Sequence, residues 1–465
     1  MKRRMLMHAA VAAVALAVLV PPSAARAAEE IRASSVDEGA PETKPDKAAR
    51  KSKRKKAEKT TQSVAPASPT PPAPALTLSA RVAALAGGFS GYEIRPDGGV
   101  ALTTQASGKV RYRRHDLDLE APATLRHRQT FGAALSETYG ELMPQVSYEV
   151  GRRLDLQAVG GLRFAYRPGW PDPYDTVLNG NGDPVLDGSG HPQALSSDRL
   201  SHFDWVVGFG VKAHLARKQW AWVRYEINDA DYATSDSYDA ANDPAHLVPS
   251  DYTRHQMQLG WRHIGEGWRA TGTLDLTRKG YDSAFARDAL TGATHAGPGG
   301  LPANPPLAFN IMQPGVAFSS WLIPDTLRLG AGYAVEVSSD TFQGYYSYVC
   351  HEPSLSAEYR LPNQASFEAS VALHVLRYGP DSYDPNAGNH DPLDDNGSRR
   401  VDKRAEATLD GRWPITSELD AIGRAALRWR ETNYPDYTLA NSNYEIDWDY
   451  TDFQAYAGVE YRWGR

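Results

Sequence analysis

Cysteine is nearly missing from this chain of 465 residues, which contains only Cys350. A single cysteine cannot form a disulfide within its own chain, so the small secreted folds that disulfides stabilise are excluded. It also cannot supply a cluster of cysteine ligands around a metal ion. We therefore expect Cys350 to be a free thiol on a strand, either buried or facing lipid.

Long apolar runs are also scarce. Beyond residue 20, no stretch approaches 18 uncharged apolar residues, so no transmembrane helix is expected. The N-terminal run lies between Met1-Lys2-Arg3-Arg4 and Ala25-Arg26-Ala27, which is the order of a basic region, a hydrophobic region and a cleavage site. Because this run is shorter than the ~20 residues of a membrane span, we predict a removable signal peptide over residues 1–27.

Catalytic motifs are a third absence. The chain contains no G-x-S-x-G, no H-E-x-x-H and no P-loop. Two local groupings remain as candidates for a hydrolase: His202 beside Ser201 and Asp204, and His374 near Ser370. Only spatial geometry makes such residues a catalytic triad. We therefore predict that the protein is not an enzyme and has no cofactor or metal, and we keep a hydrolase as the third hypothesis.

Strict alternation of apolar and polar residues is what the sequence does contain. Near the C-terminus, one face of the predicted strand carries Phe453, Ala455, Ala457, Val459, Tyr461 and Trp463. The residues between them, from Asp452 to Arg462, are mostly polar. A strand of about ten residues with one apolar and one polar face can have lipid on one side and water on the other.

This alternation recurs from about residue 79 to the C-terminus and predicts about sixteen strands, with fourteen to eighteen as the range. Short and long connections alternate between the strands, as they do in outer-membrane barrels. The fold class predicted is an all-β, transmembrane, antiparallel up-and-down β-barrel over residues 76–465. The short connections predicted are 119–122, 151–155, 216–219, 264–267, 322–326, 361–364 and 413–418.

The segment between the signal peptide and the barrel, residues 28–75, differs from the rest in composition. It has a basic run from Arg50 to Lys56 and then a stretch rich in proline, alanine, serine and threonine. Such a segment has too little apolar surface to fold, so we predict a disordered periplasmic linker. Its basic run would suit peptidoglycan or a periplasmic export component as a partner. The barrel itself is acidic, which argues against nucleic acid as a partner.

The direction of each side chain follows from the parity of its position. In residues 417–432, Leu419, Leu427 and Trp429 fall on the lipid face, whereas the charged residues fall on the lumen face. A lipid-facing charge at the midplane costs about 2–4 kcal/mol, so the charged residues set the orientation of each strand. Lys403 breaks the pattern and is expected near the membrane interface. The predicted pore-lining residues are Arg254, Arg262, Arg269, Arg400, Arg404, Arg424, Arg428 and Arg430.

Two further features concern the barrel ends and loops. Aromatic residues near the strand ends predict an interfacial girdle: Trp261, Trp268, Trp321, Tyr359, Trp413, Trp429, Tyr461 and Trp463. Two acidic, glycine-containing loops, 179–188 and 389–397, offer oxygen ligands that suit calcium. Neither loop has the twelve-residue spacing of a calcium-binding hand, so we favour ordinary turn chemistry for both, with calcium binding as the alternative.

Over residues 76–465 the chain resembles Gram-negative outer-membrane β-barrel proteins. Within that class, Asp198-Arg199, Ser398-Arg399-Arg400 and Trp268-Arg269-Ala270 are similar to segments in barrels of surface lipoprotein translocators and of exopolysaccharide export porins. The resemblance implies a location in the outer membrane and a lumen lined by arginine. In those families, tetratricopeptide helices often precede the barrel, and residues 28–75 are too short and too rich in proline to form them.

Charged lumen walls select which ions or polymers pass. The function predicted from the sequence is therefore a channel for the passage or export of hydrophilic solutes, or of a polymer such as polysaccharide. The alternative is a closed barrel that acts through its long loops as a surface adhesin or structural protein. Ion pairs that brace the wall would explain the same inward charges under either hypothesis.

Overall fold

The computed structural model describes residues 75–90, 99–131, 136–176 apart from 152 and 169, 194–197, 201–232, 251–286, 303–378 apart from 343 and 345, 401–432, 437–438, 445–446 and 450–464. The signal peptide, the linker up to residue 74, the two acidic loops and Arg400 lie outside these residues.

Sixteen antiparallel strands form a single closed barrel, as predicted. Each strand pairs with its neighbours in the sequence, and β4 and β5 together make one strand of the wall. Two short hairpins, β7 with β8 and β19 with β20, lie in the long connections. The strands are β1 Ala75–Ser90, β2 Gly99–Arg114, β3 Leu117–Phe131, β4 Ser136–Leu142, β5 Gln145–Val150, β6 Leu154–Tyr166, β7 Trp170–Thr176, β8 Ala194–Ser197, β9 His202–Ala216, β10 Gln219–Tyr232, β11 Tyr252–Ile264, β12 Trp268–Phe285, β13 Pro306–Ile323, β14 Leu327–Asp340, β15 Tyr348–Arg360, β16 Ser366–Tyr378, β17 Val401–Pro414, β18 Leu419–Thr432, β19 Tyr437–Thr438, β20 Glu445–Ile446 and β21 Tyr450–Trp463.

The barrel closes where the first strand pairs with the last. β1 and β21 are antiparallel, from Ala80 opposite Trp463 to Ser90 opposite Phe453. A side chain at Gly87 would collide with the carbonyl oxygen of Ala455, and one at Gly458 would collide with that of Ala84. Glycine is therefore required on both strands of this seam, because only a residue without a Cβ lets the two backbones approach this closely.

The predicted short connection at 119–122 is wrong, because these residues lie inside β3. The turn falls instead at His115, which adopts a positive φ of 52°. Ion pairs across the β2–β3 hairpin explain the shift: Arg111 pairs with Asp118, and Lys109 Nζ lies 2.6 Å from Glu120. Pro122 sits where β4 ends, and its carbonyl accepts a hydrogen bond from the backbone of Met143.

The two faces of the wall match the predicted parity. Large apolar side chains point outward and are exposed on the barrel exterior, among them Val207, Phe209, Val316, Leu355 and Leu427. Exposing so continuous an apolar band to water is energetically unfavourable, so this exterior belongs in lipid. The barrel is an outer-membrane protein. No helix among the described residues is long and apolar enough to cross a membrane.

Exposed aromatic residues form the predicted girdle at the end of the barrel that carries the short turns. Trp261, Trp268, Trp413 and Trp463 all point outward there. Trp321 does not belong to this girdle, contrary to the prediction. It lies opposite Arg328 and stacks inside, with the guanidinium carbons of Arg360 and Arg328 at 5.1 Å and 5.8 Å from its ring centroid. Val316 and Phe318 point outward, so the alternation of side chains along β13 places Trp321, at an odd position, on the inner face.

Lys403 is the charged residue that parity places on the lipid face. It lies near the end of β17 that faces the long loops, opposite Glu431 on β18. Its Nζ is 2.9 Å from the Glu431 carboxylate, and both side chains are about half exposed. The opposite charge and the position near the membrane interface allow both groups to remain on the outer surface.

The assignment of faces predicts opposite outcomes for two adjacent residues. We expect Leu427→Arg to reduce assembly, because an outward arginine near the midplane costs about 2–4 kcal/mol. Ala426→Arg points into the lumen between Thr408 and Gln454 and should assemble normally. The measurement is the fraction of folded barrel, seen as the mobility of unheated samples on a gel. Equal defects for both variants would contradict the assignment of faces.

Candidate functional site

Acidic and basic side chains share the lumen face of β17, β18 and β21, and Arg81 on β1 lies beside them. The alternation of each strand turns every second side chain inward, and antiparallel pairing sets strand beside strand in a fixed register. Opposite charges therefore meet across the strands. Two buried clusters result, one near each end of the barrel wall.

The cluster at the long-loop end is built around Asp402, which is completely buried. Its carboxylate lies 3.0 Å from Arg430 and 3.6 Å from Arg404. The hydroxyl of Thr432 donates a hydrogen bond to the same carboxylate at 2.6 Å. Two guanidinium groups and a hydroxyl thus offset the desolvation of one buried acid.

The cluster at the short-turn end is built around Asp420, also completely buried. Arg462 lies 2.6 Å and Arg412 lies 3.4 Å from its carboxylate. Arg412 also reaches Glu460 at 2.9 Å, and Arg81 on β1 approaches the same glutamate at 3.4 Å. This network spans four adjacent strands and includes the seam, so it joins the first strand of the barrel to the last three.

Four of the eight predicted pore-lining arginines lie on this wall: Arg404, Arg424, Arg428 and Arg430. Arg404 is directly opposite Arg430 in the pairing of β17 with β18. Carboxylates accompany them, however, since Arg428 lies 3.3 Å from Glu406 and Arg424 lies 3.0 Å from Asp410. The wall is therefore a mixed network in which three acids offset most of the charge of four arginines.

Three more of the predicted arginines lie on β11 and β12, and the eighth, Arg400, lies outside the described residues. Arg262 is buried and packs against two tryptophans of β10, with its guanidinium carbon 5.7 Å from the Trp220 ring and 5.6 Å from the Trp222 ring. Arg269 is next to it in the register, opposite Ile264. Arg254 lies at the other end of β11, near the long loops. These three arginines do not join the wall of β17 and β18.

Arg254 lies beside an aromatic row that the sequence analysis missed. It is opposite Lys279 in the strand register, so two cations are adjacent on the lumen face. Lys279 Nζ lies 3.8 Å from the centroid of the Tyr252 ring and 4.5 Å from that of Tyr281. Such cation–π contacts do not cancel the positive charge. Asp204, a buried acid on β9, is close enough to interact electrostatically with both cations.

The aromatic row continues around the lumen face at the long-loop end of the barrel, which we call the mouth. Ring centroids of successive members are 4.8–6.3 Å apart along His202, Tyr232, Tyr252, Tyr281, Phe309 and Tyr346. Each ring comes from a different strand or loop, near the long-loop end. A signal was present in the sequence: tyrosine or phenylalanine recurs at the inward position next to the long loop in consecutive strands.

The residues proposed for a hydrolase have other partners. The hydroxyl of Ser370 is 2.6 Å from that of Thr408, while His374 Nδ1 lies 3.4 Å from Glu352. The hydroxyl of Ser201 accepts a hydrogen bond from the backbone of Arg167 at 2.8 Å. These contacts engage both serine hydroxyls with groups that are not bases, so they give the hydrolase hypothesis no support.

Removing one buried acid should destabilise the barrel far more than removing an exposed one. We expect Asp402→Ala to lower the free energy of unfolding by about 3–5 kcal/mol, because Arg430 would remain buried and lose its ion pair with Asp402. Asp410→Ala is the matched control on the same strand. Asp410 is 47% exposed, so its loss should cost about 0–1 kcal/mol. Urea unfolding of the barrel in lipid vesicles measures both, and equal losses would contradict a bracing role for Asp402.

No protein-family model matches the chain, and no curated protein matches it. Among solved structures, it is similar to an anion-selective porin from Comamonas acidovorans, with 10% identity over 84% of this chain and 100% of the porin, at a TM-score of 0.39. It is also similar to CdiB from Acinetobacter baumannii, with 8% identity over 83% of this chain and 60% of CdiB, at a TM-score of 0.44. A bacterial polysaccharide outer-membrane secretin matches at 11% identity over 83% of this chain and 98% of its own, at a TM-score of 0.40. Likeness this distant carries no argument about function.

Proposed function

We propose that this protein is an outer-membrane channel for hydrophilic solutes. The observation that carries the proposal is the charged inner face of a closed wall of sixteen strands. Barrels of sixteen to eighteen strands are wide enough to hold water along their axis. Inward side chains on β17 and β18 such as Glu406, Asp410, Arg424 and Arg428 are 40–47% exposed, as expected if they border a water-filled lumen.

The side chains at the mouth support a more specific proposal about the solute. Its aromatic rings and the cations Arg254 and Lys279 occupy one side of the lumen near the long loops. Sugar rings pack their apolar faces on aromatic side chains, while guanidinium and ammonium groups hold carboxylates, sulfates or phosphates. We propose that the channel prefers carbohydrate-like solutes that carry negative charge, including an exported acidic polysaccharide.

Conductance decides between a channel and a closed barrel. The purified protein should produce discrete current steps in planar lipid bilayers, because a continuous water path conducts ions. A folded barrel that inserts but gives no current at any applied voltage would contradict the channel and favour the structural alternative. Insertion is confirmed independently by the heat-dependent mobility of the recovered protein.

Ion selectivity should depend on the two cations at the mouth. We expect Arg254→Gln combined with Lys279→Gln to lower the permeability ratio of anions to cations, because it removes two positive charges from one side of the lumen. The matched control is Arg424→Gln combined with Asp410→Asn, which removes a pair and leaves the net charge unchanged. Reversal potentials in a salt gradient measure both. An equal shift in the control would contradict a special role for the mouth.

A further inference from the structure

We infer that Cys350, Glu352 and His374 form a binding site for a thiophilic divalent cation, best matched by Zn²⁺, on the lumen wall. The site lies in the long-loop half of the barrel, on the neighbouring strands β15 and β16. The inference rests on binding groups alone and does not depend on whether the barrel conducts.

Strand geometry brings the three side chains together. Cys350 and Glu352 are two residues apart on β15, so both point into the lumen. Cys350 lies opposite Leu376 on β16, which puts His374 level with Glu352. The sulfur of Cys350, a carboxylate oxygen of Glu352 and a ring nitrogen of His374 all lie within 4.8 Å of one another.

The spacing already suits a tetrahedral metal ion. Nitrogen and oxygen ligands at about 2.0–2.2 Å from a tetrahedral zinc ion lie roughly 3.4 Å apart. His374 Nδ1 and Glu352 Oε1 are separated by 3.4 Å. Sulfur binds at about 2.3 Å, so a shift of the Cys350 side chain by about 1 Å would complete three ligands. The metal would take the place of the direct contact between His374 and Glu352.

The surroundings hold the carboxylate in place and leave room for a fourth ligand. Gln313 donates a hydrogen bond from Nε2 to Glu352 Oε2 at 2.9 Å, which leaves Oε1 directed at His374. Partners of this kind orient metal ligands and tune affinity. A recess of about 290 Å³, bordered by Glu336, Tyr348 and Arg404, opens beside the three ligands and can hold a metal-bound water.

The donor set determines which ions bind. Thiolate and imidazole select zinc, cadmium or cobalt(II) over calcium and magnesium, which require oxygen ligands. Binding replaces the proton of the Cys350 thiol by the metal, and that proton goes to solvent. As the sole cysteine of the chain, Cys350 cannot be consumed by an internal disulfide.

Cobalt(II) spectroscopy tests the site directly. The full-length protein, purified without a histidine tag, folded in detergent and stripped with chelator, should give a thiolate-to-cobalt charge-transfer band that one equivalent of Zn²⁺ abolishes. Cys350→Ser should lose this band. Gln313→Leu should weaken binding about 10- to 100-fold, as the loss of an orienting partner does.

His351→Gln is the matched control for His374→Gln. His351 is on the same strand as Cys350 but points outward, where Tyr333 contacts its Nδ1 at 2.7 Å. We expect His374→Gln to weaken cobalt binding at least about tenfold and His351→Gln to leave it unchanged. The inference is overturned if the wild-type barrel gives no charge-transfer band, if the band persists in Cys350→Ser, or if the two histidine variants behave alike. All variants are first confirmed as folded by their mobility on unheated gels.

Discussion

Pairing of every backbone donor and acceptor is the constraint on which this barrel depends. A lipid bilayer offers no water to a free N–H or C=O group, so a sheet with an open edge cannot cross it. The register from β1 to β21 satisfies the constraint by making the first strand the neighbour of the last. Closure then fixes which side of each strand faces lipid and which faces the lumen. The placement of apolar and charged side chains follows from these two faces.

Closure also determines where charge can be placed. With the exterior occupied by apolar side chains, arginines and acids gather inside, where the register brings opposite charges together. Asp402 and Asp420 are completely buried yet each contacts two arginines, so their role is to hold strands together. Lys279 lies against two tyrosine rings and opposite Arg254, and this is the part of the lumen that we propose a solute would contact.

Much of the fold could be predicted from the sequence, because the alternation of apolar and polar residues along each strand indicates which side chains face lipid and which face the lumen. The parity that places Leu427 outward and Arg428 inward was sufficient to orient β18. Pairing partners could not be predicted in the same way: the diagonal contact of Arg412 with Asp420 depends on register, which no single strand encodes. The turn at His115 was missed for a related reason, since ion pairs across the hairpin set its position. The aromatic row, and the grouping of Cys350 and Glu352 with His374, depend on which strands are neighbours and in what register.

The glycine seam has a consequence for the order in which the molecule assembles. β1 and β21 are the strands farthest apart in the sequence, so their pairing closes the largest loop that the chain can form, with the highest entropic cost. Forming the intervening hairpins first shortens the loop that this contact must close and so lowers that cost. Gly87 and Gly458 let the two backbones approach closely at this contact. The seam is therefore the pairing with the greatest loop-closure cost in the barrel, and the ion pair of Arg81 with Glu460 at 3.4 Å adds a side-chain contact to its backbone pairing.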